Sequence, residues 1–212
     1  MSNSTDGARL SPAQRRAQIV EIASSHFSRD GIAGASMSAI AAEAGVTRAL
    51  VYHYFPGKES LLEAVLEREA DRVLLATAPD PALSQSENVE RSLLAFFERF
   101  SSSSGGVREL YAPSSARASM TEGLAAANHV VQLDRLVSAS GAEDTPANRL
   151  ALGAWLAFVE YAARTSVTSP AVSRAELLRL CTTALESILG HPLSTAPPPT
   201  DHTHHRHIGD TP

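Results

Sequence analysis

The chain has 212 residues and a net charge of −5, is 43% hydrophobic but only 5% aromatic, and contains a single cysteine. That length can bury a sizeable core as one large domain or two small ones sharing an interior. The charge excludes a general nucleic-acid coat, and Cys181 alone excludes an intrachain disulfide or a cysteine zinc cluster.

In chain order, residues 1–10 are polar and are expected to be disordered, with no secretory leader. Ser11-Pro12 with Gln14 reads as a capping box with proline at the first helical position. Ile19, Ile22, Ala23, His26 and Phe27 then recur at helical spacing until Gly31. Ser36 caps a short second helix that Gly45 closes, and Thr47 caps a third from Arg48 to about Phe55. Pro56-Gly57 breaks the pattern, and a long helix follows from Lys58 to about Thr77.

Asp80-Pro81 opens a turn-rich linker, followed by a helix carrying Val89, Leu93, Phe96, Phe97 and Phe100. A loop is expected over 101–106 and a break over 113–115, after which helical spacing returns between Arg117 and Ala139. Thr145-Pro146 starts the next helix. Ser173 with Glu176 reads as a capping box for the last, which Gly190 ends. No segment alternates with period two over a useful length. The expected fold is all-α, about nine helices: a three-helix head over 11–57 and a helical body over 58–191. Residues 192–212, rich in proline, threonine and histidine, read as a disordered tail. His202, His204, His205 and His207 in that tail have no fixed geometry, so no metal site is assigned to them.

The most apolar run, Leu150 to Ala163, is interrupted by Glu160 and is shorter than the roughly 20 residues that span a bilayer. A soluble, cytoplasmic protein without a membrane span is expected. Charge is unevenly divided. The first 60 residues hold Arg9, Arg15, Arg16, Arg29, Arg48 and Lys58 against Asp6, Glu21, Asp30, Glu43 and Glu59, leaving the acidic excess to the body. A near-neutral head on an acidic body fits local contact with DNA through a few placed residues.

The segment from Ser36 to Lys58 has the layout of a helix-turn-helix, which sets its second helix in the major groove of DNA. Ile40-Ala41, Ala44-Gly45-Val46, Tyr52, Phe55 and Lys58 stand without a gap in the pattern of one family. On these residues, 12–62 resembles the DNA-binding domain of the tetracycline-repressor (TetR) family of bacterial regulators. Ile40, Ala41, Ala44, Val46, Val51 and Phe55 are assigned to packing against Ile19, Ala23 and Phe27. Thr47, Arg48, Ala49, Leu50, Tyr52, His53 and Tyr54 contain the exposed face of the third helix. Arg48 can reach guanine O6 and N7 with a bidentate fork, and Ala49 and Leu50 can meet only apolar groups such as a thymine methyl. Thr47, Tyr52 and His53 suit phosphate oxygens, and Ser36 and Ser38 open a helix whose N-terminus can receive a phosphate. Lys58 is the only lysine. A cation at a helix start opposes the macrodipole, and a backbone phosphate accounts for it, as the resemblance also implies.

The resemblance further implies a homodimer, an effector pocket in the body and, as the usual mode, repression. Alanines 151, 154, 157 and 162 in the penultimate helix, with Leu177, Leu178, Cys181, Leu185, Ile188 and Leu189 in the last, are a candidate dimer face. The candidate pocket residues are Phe96, Phe97, Phe100, Tyr111, Met120, His129, Trp155, Phe158 and Tyr161, suited to an apolar or weakly polar organic effector. Glu160 is assigned to a pair with Arg164 four residues on. No cofactor is implied. An enzyme finds little support, since Cys181 has no paired base and no metal, phosphate-loop or serine-nucleophile spacing occurs. The remaining alternative is a helical ligand-binding or interaction protein without sequence-specific DNA binding.

With Ser38 and Ala39 neutral, the head should make few phosphate contacts. DNA affinity measured against salt concentration should therefore give a shallow log–log slope. A slope equivalent to about ten or more ions released per monomer would contradict the sparse head.

Overall fold

The computed structural model describes residues 10–101, 118–168 and 171–196, apart from the side chains of residues 118–122 and 168. Among the described residues there are eight helices and no strand. Of the loop expected over 101–106, Ser101 is the last residue of a helix and residues 102–106 lie outside the described residues, as do the break over 113–115, the first nine residues and the tail from 197 onward.

Helix α1 spans Pro12–Gly34. The Gln14 amide donates to Ser11 Oγ at 3.2 Å and the Ser11 amide to Gln14 Oε1 at 2.8 Å, so the capping box is complete. Gly31 breaks the helix with φ of 68°, where the sequence placed its end, and one further turn runs on to Gly34. Helices α2 (Met37–Glu43) and α3 (Arg48–Tyr54) are two turns each, capped by the Ser36 and Thr47 hydroxyls. Between them Gly45 takes φ of 64°, a left-handed conformation that glycine adopts without a side-chain clash.

The head core forms because α1 offers Ile19, Val20, Ala23 and Phe27 on one face, spaced at three and four residues. Ile40 and Ala41 of α2, Ala44 from the turn, and Val51 and Phe55 from α3 close over it. All the residues assigned to packing are buried there except Val46, which is half-buried against the same cluster. Two polar side chains of α1, Ser24 and His26, are buried beside it, and His26, only 3% exposed, has Nε2 2.9 Å from Glu43 Oε2 at the end of α2.

Helix α4 (Lys58–Ala76) is 19 residues long, about 28 Å at 1.5 Å per residue. Its first half puts Leu61, Leu62, Val65 and Leu66 into the head core. Its last turns put Val73 into a second core, built with α5 (Gln85–Ser101), α6 (Ala118–Ser140), α7 (Pro146–Thr168) and α8 (Arg174–Leu189). Arg68 and Arg72 of α4 both pair with Glu21 of α1, and Arg72 also holds the buried carboxylate of Glu69 at 3.1 Å. Trp155 of α7 donates its indole N–H to the Cys181 carbonyl of α8 at 2.8 Å, which satisfies that buried donor and fixes the helix pair.

Ser173 accepts from the Glu176 amide at 3.2 Å, and Gly190 ends α8 in the left-handed conformation. Packing does not stop at 191, where the sequence placed the start of a disordered tail. Leu193 is buried in the body core, and the Ser194 amide donates to Gln85 Oε1 at 3.0 Å. A lone leucine among prolines carries no periodicity, which is why its burial was not legible in sequence.

Leu66 is fully buried at the junction of α4 with the head. Leu66→Ala should lower unfolding free energy by about 2–5 kcal/mol in chemical denaturation, through lost burial and the cavity left behind.

Candidate DNA-reading surface and effector cavity

The turn and the two short helices present one outer surface. Ser36, Ser38, Thr47, Arg48, Ala49, Tyr52 and His53 are all exposed, and Leu50 is half-buried. Tyr54 is the exception among the third-helix residues read as outward, being packed against the head core. The surface is thinly charged, as the sequence implies. Arg48 folds back along α3, its guanidinium carbon 5.2 Å from the Tyr52 ring centroid and its Nη2 donating to the Tyr52 hydroxyl at 3.2 Å. An exposed contact of this kind is worth about 0.5–1 kcal/mol, so the arginine can leave it for a better acceptor at small cost. The Ser36 and Thr47 hydroxyls accept from the Ala39 and Leu50 amides, so both spend hydrogen-bonding capacity on caps.

Lys58 has a partner inside the protein. Its Nζ donates to the carbonyls of Ile32 and Ala33 at 3.1 and 3.0 Å, closing the last turn of α1. The macrodipole argument that called for a phosphate thus has another answer, since a lysine at the start of α4 completes the C-terminal carbonyls of α1. One of its three N–H groups is still available to an outside acceptor. Tertiary contact between α1 and α4 decided this, across a separation of 26 residues.

In the body, a cavity of about 120 Å³ opens between the end of α4 and helices α5, α6, α7 and α8. Of the residues named as pocket candidates, Phe96, His129 and Trp155 line it. Phe97 and Phe100 do not; both are buried in the body core. On α5, Phe97 is turned about 100° from Phe96, and Phe100 lies a full turn farther along. Phe158 and Tyr161 do not line it either, being 40% and 60% exposed on α7. Trp155, Leu156, Val159 and Glu160 face the cavity, and Phe158 and Tyr161 fall roughly opposite on the helical wheel. Tyr111 and the side chain of Met120 lie outside the described residues.

The assigned Glu160–Arg164 pair is not formed. Glu160 points into the cavity instead, with its Oε1 3.3 Å from His129 Nδ1. Arg164 lies over the Tyr161 ring, 5.9 Å from its centroid. Burial raises the Glu160 carboxyl above the ordinary carboxylate range, with His129 and then Arg164 opposing the rise. The sequence signal was present: Glu160 is the charge interrupting the apolar run from Leu150 to Ala163. Four-residue spacing favours Arg164 as its partner, and spacing along one helix cannot show which neighbour lies across from it. Gln132 and Arg135 also line the cavity, and nothing in their own helix's spacing marks them for it. They donate to Thr77 Oγ1 at 2.5 Å and to the Leu74 carbonyl at 2.7 Å. Cys181 is fully buried and its thiol is pushed up to about 11, so it stays protonated at neutral pH.

Lys58→Met should lower the stability of the DNA-free protein by about 1 kcal/mol, read in urea denaturation, because two helix-end carbonyls lose a charged donor. Unchanged stability would show that the lysine contributes nothing to closing α1.

Residues 19–65 match the family described as bacterial regulatory proteins, tetR family. The HTH-type transcriptional repressor SCO4008 of Streptomyces coelicolor is 39% identical over 70 residues, which is 33% of this chain and 36% of that protein. The HTH-type transcriptional regulator EthR of Mycobacterium tuberculosis is 34% identical over 119 residues, 54% of each. The chain thus spans between about a third and a half of these curated relatives. The whole fold extends the likeness. A crystal structure of a tetR-family transcriptional regulator from Streptomyces coelicolor aligns with a TM-score of 0.71 and 25% identity, over 85% of this chain and 84% of the other. The head thus carries the helix-turn-helix of the tetR family over residues 19–65, and the fold as a whole is similar to that of a tetR-family regulator.

Proposed function

We propose that the protein is a homodimeric transcriptional regulator, a repressor that binds a palindromic operator and is released by a small organic effector. The reading rests above all on the outer face of α3. Arg48, Ala49, Tyr52 and His53 are exposed there, while Val51 and Phe55 anchor the helix in the head core. Arg48 reads a base edge, and Thr47, Tyr52, His53, Ser36, Ser38 and the remaining N–H of Lys58 serve the backbone phosphates. Ala49 and Leu50 supply apolar contact. Such a head is too sparse to specify a site alone, and two heads on a two-fold axis double the information read.

The dimer forms through the outer faces of α7 and α8. Leu150, Phe158 and Tyr161 are exposed along α7, with the exposed Ala154 and Ala157 between them. Leu180 and Ile188 continue the apolar surface on α8. Large exposed side chains clustered on two adjacent helices call for a partner surface, and two pairs of antiparallel helices meet as a four-helix bundle. Trp155, Leu177, Cys181 and Leu185 face the other way and hold the monomer core. The body cavity takes the effector. It borders Thr77 at the end of α4, so an occupant acts directly on the helix that begins at the head. No helix among the described residues is long and apolar enough to cross a membrane.

Selection of bound fragments from random double-stranded DNA should enrich an imperfect palindrome; absence of enrichment at low salt would sink this reading. Arg48→Ala should relax preference at one position of each half-site by about 1–3 kcal/mol without abolishing binding. Replacing Tyr161 by Asp should shift the protein from dimer to monomer in analytical ultracentrifugation and weaken palindrome binding together. A variant that remains dimeric would move the interface away from α7.

A further inference from the structure

The body cavity is walled mostly by carbon, and almost every polar side chain on it is already committed within the protein. Asn88 Nδ2 donates to the Asp80, Leu83 and Ser84 carbonyls, and its Oδ1 accepts from the Asp80 amide. Gln85 is spent on the Ala139 carbonyl and the Ser194 amide. Ser92 donates to the Thr77 carbonyl, and Gln132 to Thr77 Oγ1. Arg135 gives Nη1 to the Leu74 carbonyl, which holds its charge at the end of α4. Trp155 has used its indole N–H on Cys181, so only indole carbon surface is left to offer the cavity.

Glu160 is different. It is the one acidic residue among those lining the cavity, and His129 at 3.3 Å is its one ion-pair contact among the described residues. A carboxylate accepts up to about four hydrogen bonds, so His129 leaves acceptor capacity for an occupant. The aromatic residues on the same walls are Trp155 and Phe96. A half-buried carboxylate with lone pairs to offer, on the same walls as aromatic carbon, favours one kind of occupant. A cation completes the carboxylate and is attracted by the faces of the rings. A neutral ligand brings at most an uncharged hydrogen bond to the second carboxylate oxygen, weaker than a charged one, and an anion is repelled by it.

Building on the reading of this cavity as the effector site, we infer that it takes a small organic cation, an apolar body bearing one protonated nitrogen, with Glu160 as its counter-ion. The volume sets the scale of the body. At about 120 Å³ the cavity is close to the ~150 Å³ apolar cavities that hold a single benzene ring. The ammonium donates to Glu160 Oε2 while His129 keeps Oε1, and the ring packs among Trp155, Phe96, Leu93 and Val159.

The test is calorimetric titration of the full-length protein with three probes of one shape: benzylammonium, benzyl alcohol and benzoate. Benzylammonium should bind at least about tenfold more tightly than either of the others. Glu160→Gln should remove that preference while leaving benzyl alcohol binding within about twofold. Equal or tighter binding of the alcohol or the benzoate overturns the inference, as does failure of all three to bind at millimolar concentration. So does retention of the ammonium preference in Glu160→Gln. If that variant does not fold, the ranking of the three probes on the unaltered protein decides alone. DNA selection on the same protein keeps the two readings apart. Enriched DNA without ammonium binding refutes the cation and leaves the regulator, whereas ammonium binding without enriched DNA does the reverse.

Discussion

Helix α4 buries Leu61, Leu62, Val65 and Leu66 against the head and Val73 against the body, so one unbroken helix has to satisfy two hydrophobic cores. Each fully buried aliphatic side chain is worth about 1.5–3 kcal/mol, and four of them hold the head end. Neither core can shift along α4 without exposing part of that surface. The ion pairs from Arg68 and Arg72 to Glu21 lie between the two ends and fix the rotation of α4 against α1. Everything the head presents outward is therefore referred to α4, and through it to whatever fills the body.

The same helix explains the position of Lys58. A lysine at its first residue is unfavourable within α4 taken alone, yet it lies within reach of the open carbonyls at the end of α1. Helix α1 breaks at Gly31, and the short turn that follows leaves these acceptors for a side chain to take. The head is thus tied twice to its neighbours by polar contact: Lys58 closes the end of α1, and His26 joins α1 to Glu43 beside the turn. Helix α3 inherits its orientation from these fixed points, because it is only two turns long and buries little surface itself.

In the body, packing divides each helix into a face for the monomer and a face left over. On α7 the inner face holds Trp155 and Val159, and the outer face holds Leu150, Phe158 and Tyr161. Between α7 and the other helices a carboxylate, a histidine and two aromatic side chains meet around an opening that the core does not fill. Burial of Glu160 is costly, and a fold that keeps a carboxyl there retains a strong preference about what enters.

The sequence by itself determined the helical class, the head, and which residues of the head pack. Periodicity, caps and glycine turns are local signals, and the helices and turns of the head are written almost entirely in them. Ile40, Ala41, Val51 and Phe55 are buried as their spacing requires, and Arg48, Tyr52 and His53 face outward. Only the tertiary structure decided the partners of Lys58 and Glu160, the burial of Leu193, and which aromatics of the body meet the cavity. Those outcomes depend on contacts between helices far apart in the chain. A helix's own periodicity says which residues share a face, and not what stands opposite it. Phe96 and Phe97 are neighbours in sequence, both buried, and one reaches the cavity while the other fills the core.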